Sequence, residues 1–157
     1  MVLTDALEPF RAPTLEPSTR ESLLPYLRQT KSEGGYDITI KTELAIGGKT
    51  YSVSQTNASN LLFSFGQMLT HHTVGGCPMN VGDLLGSGTI SGLDDGSLGS
   101  FLEMTKNGKA PLELAEGVSR TFLEDDDDLI MTGAAGKVGG YVGFGECRGK
   151  ILPARSM

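Results

Sequence analysis

The sequence has few of the residues on which several common protein classes depend. Its only two cysteines, Cys77 and Cys147, lack the CxxC spacing of zinc and redox sites. Lysine and arginine number 13 against 19 acidic residues, and the net charge of −6 disfavours a nucleic acid or an anionic membrane as partner. We therefore expect reduced thiols, and a small molecule or other copies of the chain as partners.

Long apolar runs are also missing. No stretch approaches the length that spans a bilayer, and the first twenty residues combine five charges with three prolines, unlike the apolar core of a secretory signal. We expect a cytoplasmic protein. With 157 residues, 38% of them hydrophobic, and 22 glycines, the chain fits one turn-rich domain that can bury a core.

The pattern of apolar residues predicts an α+β fold that is mostly β. Residues 1–30 contain four prolines and no sustained apolar period, so we expect an extended segment there. Residues 36–157 are predicted to form the β-rich part. Its first element is a β-hairpin over 36–53, where apolar and polar residues alternate on both sides of a Gly47-Gly48 turn.

One main helix is predicted over about residues 57–72. It is indicated by an apolar stripe at helical spacing, formed by Leu61, Phe65, Met68, Leu69 and His72. Asn57 or Ser59 is expected to cap its start, and Gly75-Gly76 to end it. Further short strands are predicted between Gly, Asp and Asn turns, at 83–90, 100–105, 111–114, 129–132 and 140–144.

Three local patterns suggest ligand sites but do not meet their geometric requirements. Gly48-Lys49-Thr50 ends like a phosphate-binding loop, but Glu43 stands where the first glycine is needed. Carboxylates suit hard cations, yet consecutive side chains diverge, so Asp125–Asp128 is interpreted as a solvated turn. His71 and His72 point about 100° apart on a helix. We favour a structural role, with one of them facing the core, over a catalytic base.

A longer pattern is more specific. The stretches Gln67–Met79 (QMLTHHTVGGCPM) and Gly82–Gly92 (GDLLGSGTISG) resemble the C-terminal signature of the fumarylacetoacetases. The similarity continues through Asp5–Phe10, Gly99–Glu103, Leu129–Gly133, Gly143–Cys147 and Gly149–Ala154. It covers nearly the whole chain, but only about the last third of a family enzyme. The resemblance implies that residues 1–157 are the C-terminal portion of a catalytic domain with a mixed β-roll fold.

The resemblance also implies an activity. Family enzymes hydrolyse a C–C bond of fumarylacetoacetate, giving fumarate and acetoacetate in tyrosine and phenylalanine catabolism, as cytosolic homodimers that use Mg or Ca. Thr89 matches the threonine that contacts substrate, and Gly88 beside it would let the backbone approach a ligand. Glu103 matches the glutamate that hydrogen-bonds the catalytic histidine. Without the resemblance, Thr89 and Glu103 would be interpreted as ordinary residues of a strand and a strand edge.

The same resemblance places the base histidine, the acidic metal ligands and the substrate-binding lysine and arginine before residue 1. We therefore expect no metal ligands in this chain and no activity from it alone. Two hypotheses of different classes follow. The chain is a fragment or truncated product of a fumarylacetoacetase, or it is a non-catalytic oligomerisation or binding module that kept the roll and lost the chemistry.

Overall fold

Short elements precede the main sheet. The computed structural model describes the chain in four stretches, residues 2–15, 23–29, 34–137 and 140–155. A 3-10 helix at Thr4–Phe10 leads into strand β1 (Arg11–Ala12), which pairs antiparallel with β2 (Gly35–Tyr36). A further 3-10 turn forms at Pro25–Leu27.

The extended segment predicted for residues 1–30 is therefore wrong at these two 3-10 elements, and its residues 1, 16–22 and 30 lie outside the described residues. A 3-10 helix occupies Thr4–Phe10 even though Pro9 lies inside it. Proline has no N–H to donate, but the final bond of this helix is donated by the Arg11 N–H to the Glu8 carbonyl. Pro9 thus removes the bond that position 9 would donate to the Ala6 carbonyl, whereas the bond that closes the helix is unaffected.

The predicted hairpin is confirmed. Strands β3 (Ile38–Ile46) and β4 (Lys49–Asn57) pair antiparallel across the Gly47-Gly48 turn. Both glycines have positive φ, 57° and 81°, as a tight two-residue hairpin turn requires. Asn57 ends β4 and its side chain accepts a hydrogen bond from the Ser59 N–H, which starts a 3-10 turn at Ala58–Asn60.

The main helix exists but begins later than predicted. Helix α1 spans Phe65–Val74, and Gly75 ends it as expected. Ser64, rather than Asn57 or Ser59, caps the helix. The Ser64 Oγ accepts from the Gln67 N–H at 3.1 Å, and the Gln67 Oε1 accepts from the Ser64 N–H at 2.8 Å. This reciprocal capping box sets the first turn, while Asn57 serves the separate 3-10 turn.

Two of the predicted strands are corrected and three are confirmed. Residues 83–90 contain no regular structure, and residues 100–105 contain the short helix α2 (Phe101–Met104), because Ser100 caps a helical turn there. The strands predicted at 111–114, 129–132 and 140–144 correspond to β5 (Leu112–Ala115), β7 (Asp128–Lys137) and β8 (Gly140–Lys150). Strand β5 pairs antiparallel with β6 (Val118–Arg120).

The main sheet has the order β4-β3-β7-β8, and each neighbouring pair is antiparallel. Leu44 on β3 and Ala135 on β7 are fully buried. Ala135 belongs to a core cluster that also contains Leu7, Tyr36, Ile38 and Ala58. The prediction of a mostly β, α+β fold is confirmed.

The solvated turn predicted for Asp125–Asp128 is confirmed for Asp125 and Asp126, which form an exposed turn, and is wrong for Asp127. Asp127 is buried, and the Arg120 guanidinium donates to both of its carboxylate oxygens at 2.9 Å. Asp128 pairs instead with Arg148 at 2.8 Å, and Asp126 with Lys150 at 2.9 Å. The four side chains diverge as expected, but the Asp127 side chain points into the protein, because the Arg120 guanidinium of β6 lies there.

The hydrogen bonds from Arg120 lower the pKa of Asp127, and the Glu124 N–H also donates to this carboxylate. The same contact raises the pKa of Arg120. A carboxyl with a lowered folded-state pKa stabilises the fold above its unfolded pKa of about 3.9, and this contribution disappears as pH falls through the folded pKa. The Arg120–Asp127 pair should therefore strengthen the fold at neutral pH.

We expect Asp127→Asn to lower the free energy of unfolding by about 3 kcal/mol at pH 7, because it leaves Arg120 without its buried counter-charge. Urea denaturation of the chain at pH 7 and pH 3 measures this loss. The difference from wild type should shrink at pH 3, where the Asp127 carboxylate of the wild type gains a proton on unfolding.

Asp126→Asn is the matched control, because the Asp126 side chain is 73% exposed in its pair with Lys150. Its effect should stay within about 0.5 kcal/mol. Equal losses for the two variants would contradict a special role for the buried pair.

Candidate functional site

Gly88 and Thr89 lie in the loop that follows α1. This loop, residues 78–92, has no regular strand or helix, and both residues are exposed. Gly88 has φ 75°, a backbone conformation that favours glycine, and no atom lies within 4 Å of the Cβ that another residue would carry. The backbone here is open to an approaching ligand.

Glu103 lies on α2, not at a strand edge, and its side chain is exposed but anchored. The Ser91 hydroxyl donates to Glu103 Oε2 at 2.6 Å, and the Ser100 hydroxyl donates to the same oxygen at 3.2 Å. In the described part of the chain, no donor contacts Oε1. The carboxylate is thus hydrogen-bonded through Oε2, whereas Oε1 can accept a further hydrogen bond.

The loop carrying Thr89 is fixed to the segment carrying Glu103. Besides the Ser91–Glu103 bond, the Gly99 N–H donates to Ser91 Oγ at 2.9 Å. The Gly99 backbone also lies directly against Ile90, because a Cβ on Gly99 would be 2.6 Å from the Ile90 carbonyl oxygen. The structure therefore joins the two predicted site regions through Ser91, two residues after Thr89.

A groove adjoins this loop. It has a volume of about 300 Å³ and is mostly apolar. Ser87 and Ile90, which flank Gly88 and Thr89, line it together with residues of the sheet, among them Ile38, Ile40, Met131, Phe144 and Cys147. A ligand bound at the Thr89 loop could extend an apolar portion into this groove.

The prediction that one histidine of the pair faces the core is wrong. Neither His71 nor His72 faces the core, since both are exposed. The His71 Nδ1 lies 3.2 Å from the Tyr26 hydroxyl, and the two rings stack with centroids 6.4 Å apart. His71 therefore connects α1 to the described segment 23–29, a structural role.

Metal-ligating side chains are dispersed. Within residues 2–15, 23–29, 34–137 and 140–155, no three His, Cys, Asp or Glu side chains come together to hold a metal ion. The two cysteines are free and exposed. In the same stretches, no helix is both long and apolar enough to cross a membrane.

Comparison with known proteins identifies the family. The family model described as fumarylacetoacetate (FAA) hydrolase C-terminal matches residues 18–151. The chain belongs to this family. It is 59% identical over 155 residues to "Fumarylacetoacetase fahA" of Aspergillus fumigatus, a match that covers 98% of this chain and 36% of the relative. The proteins named fumarylacetoacetase from Arabidopsis thaliana and Homo sapiens are 44% and 39% identical to this chain. Each match again covers 98% of this chain and 36% of the relative.

The chain thus spans about 36% of the length of these curated relatives. Two residues of the candidate site, Ser91 and Gly99, were not singled out in the sequence, although both lie in stretches that resemble the family. The Ser100–Glu103 contact did have a local signal, because Ser-x-x-Glu is a capping box that predicts a helix start.

We expect Gly99→Ala to destabilise the fold by about 1–3 kcal/mol, because backbone atoms of Ile90 occupy the space that the new Cβ would need. Gly86→Ala is the matched control in the same loop, since no atom lies within 4 Å of its Cβ position. Thermal denaturation of both variants measures the difference. A Gly99→Ala variant as stable as Gly86→Ala would show that the loop is not packed as described.

Proposed function

We propose that this chain contributes Glu103, Thr89 and Gly88 to the active site of a fumarylacetoacetase, which hydrolyses fumarylacetoacetate to fumarate and acetoacetate. Relatives of 39% to 59% identity bear that name, which favours this hypothesis over a non-catalytic module. The observation that carries the proposal is the exposed Glu103 carboxylate, oriented by two serine hydroxyls in the family signature.

The arrangement of Glu103 suits a partner from outside the chain. Both serine hydroxyls bind Oε2, so Oε1 remains for a further donor. A carboxylate that accepts a histidine N–H holds the tautomer in which the other ring nitrogen can take a proton from water. In this proposal Glu103 orients the base, and the base histidine belongs to a part of the enzyme that this chain does not contain.

Thr89 and Gly88 would contact the substrate. Their loop is exposed, and its neighbours Ser87 and Ile90 line the apolar groove. The Thr89 hydroxyl can both donate and accept, and the Gly88 backbone offers no side chain in the way of a ligand. A small, anionic diketone could therefore be bound by its oxygens at Thr89 while its carbon chain lies toward the groove.

The surface of the chain supports assembly with further polypeptide. Large apolar side chains are exposed on α1 and on the sheet, including Phe65, Leu69, Val74, Met131 and Phe144. We propose that the rest of a cytoplasmic, homodimeric enzyme covers them.

Mg or Ca, which the family resemblance implies, does not fit the side chains described for this chain. No three suitable ligands converge in those stretches, and the carboxylates of Asp126, Asp127 and Asp128 pair with three different cations. The proposal therefore assigns any metal ligands to the remainder of the enzyme. This chain by itself is expected to be inactive.

The proposal is tested in a chimera in which this chain replaces the matching 36% of the Aspergillus fumigatus relative. We expect the chimera to hydrolyse fumarylacetoacetate. The loss of the substrate's ultraviolet absorbance measures the rate. Glu103→Gln should lower kcat by about 100-fold or more, because the base histidine loses its charged partner.

Glu116→Gln is the control for Glu103→Gln, since it neutralises an exposed carboxylate in the turn between β5 and β6. Its kcat should equal that of the unmodified chimera. An active chimera that tolerates Glu103→Gln would overturn the proposed role of Glu103.

Calcium and magnesium should leave the melting temperature of the isolated chain unchanged. A cation stabilises a protein only by binding its folded state, and the described residues contain no cluster of metal ligands. Differential scanning fluorimetry with and without EDTA, in millimolar metal, measures this. A metal-dependent rise that Asp126→Asn abolishes would instead locate a cation site at Asp125–Asp128.

A further inference from the structure

Ser91 has two directed hydrogen bonds at the centre of the candidate site. Its hydroxyl accepts from the Gly99 N–H at 2.9 Å and donates to Glu103 Oε2 at 2.6 Å. A serine hydroxyl has one proton to donate. Because the backbone N–H of Gly99 occupies an acceptor position, the Ser91 proton is directed at the carboxylate.

The Ser91 bond is the stronger of the two that hold Glu103. A hydroxyl–carboxylate distance of 2.6 Å lies in the range of charge-assisted bonds. The Ser100 hydroxyl lies 3.2 Å from the same oxygen and also accepts from the Glu103 N–H at 3.3 Å, as a helix cap. Ser100 therefore serves α2, whereas Ser91 reaches Glu103 from a different segment.

We propose that Ser91 is a positioning residue that orients the Glu103 carboxylate and couples it to the Thr89 loop. This inference rests on the proposed function of Glu103. Ser91 lies two residues after Thr89, and Gly99 packs against Ile90 between them. One hydroxyl thus sets both the direction of Oε1 and the placement of the loop that would contact substrate.

A double-mutant cycle in the active chimera tests the inference, using Ser91→Ala, Glu103→Gln and the double variant. We expect Ser91→Ala to lower kcat and kcat/KM by about tenfold, as for a lost bond to a charged group. In the Glu103→Gln background, Ser91→Ala should cause no further loss, because its effect passes through the carboxylate. Ser91→Thr keeps the hydroxyl and should keep most of the activity.

Ser52→Ala is the matched control, because Ser52 is an exposed serine of β4 and should have wild-type kinetics. Melting temperatures are measured for every variant. If Ser91→Ala does not fold, Ser91→Cys replaces it in the cycle, since a thiol of similar size is a much weaker donor. The expected result for Cys is the same coupled loss.

The outcomes separate the two proposals. Wild-type activity in Glu103→Gln would overturn both the role of Glu103 and the role of Ser91. Two results would overturn the Ser91 inference alone, provided that Glu103→Gln causes a large loss of kcat. In the first, Ser91→Ala has no effect on kcat; in the second, its loss adds fully to that of Glu103→Gln in the double variant. A loss in Ser91→Ala that vanishes in the Glu103→Gln background, with activity retained in Ser91→Thr, would support it.

Discussion

The antiparallel pairing of β3 with β7 is the contact on which the rest of the fold depends. It joins segments about ninety residues apart, in a register that runs from Ile38 opposite Ala135 to Ala45 opposite Asp128. The N-terminal and C-terminal hairpins become one sheet only through this pair, and the fully buried Leu44 and Ala135 both lie on it. The Arg120–Asp127 ion pair lies just before β7, so charge neutralisation and sheet pairing support each other at the same end of the strand.

How much of the fold could be predicted follows from how local each signal is. The hairpin was predictable because its turn glycines and its alternating pattern lie within a few residues of one another. The helix start was misplaced because the apolar stripe extends back to Leu61, whereas the backbone becomes helical only where the Ser64–Gln67 capping box satisfies the first N–H groups. Residues 83–90 have strand-like composition, but a strand also needs a neighbour, and its own sequence cannot supply one.

The candidate site shows the same difference between local sequence signals and contacts that depend on the fold. Glu103 and Thr89 were predicted from the resemblance to the family, since a single Glu or Thr carries little information by its type alone. Ser91 was missed because its contact with Glu103 depends on the path of an irregular loop. Burial of Asp127 was missed for a related reason, because a run of four acidic residues indicates solvent unless the position of Arg120 is known. In both cases a polar side chain takes its role from a partner that only the folded chain brings near.

Helix α1 connects an exposed apolar surface with the groove beside the candidate site. A surface helix ordinarily buries its apolar face, but here the buried residue of α1 is Gln67, whose amide donates to the Leu27 carbonyl, while Phe65 and Leu69 are about 40% exposed. Phe65 also lines the groove beside the Thr89 loop. A polypeptide that covered Phe65 would therefore also adjoin the groove beside the Thr89 loop, and in the proposed function it would bring a histidine to the open oxygen of Glu103. Under the proposed function, covering this apolar surface and completing the catalytic site would be a single event.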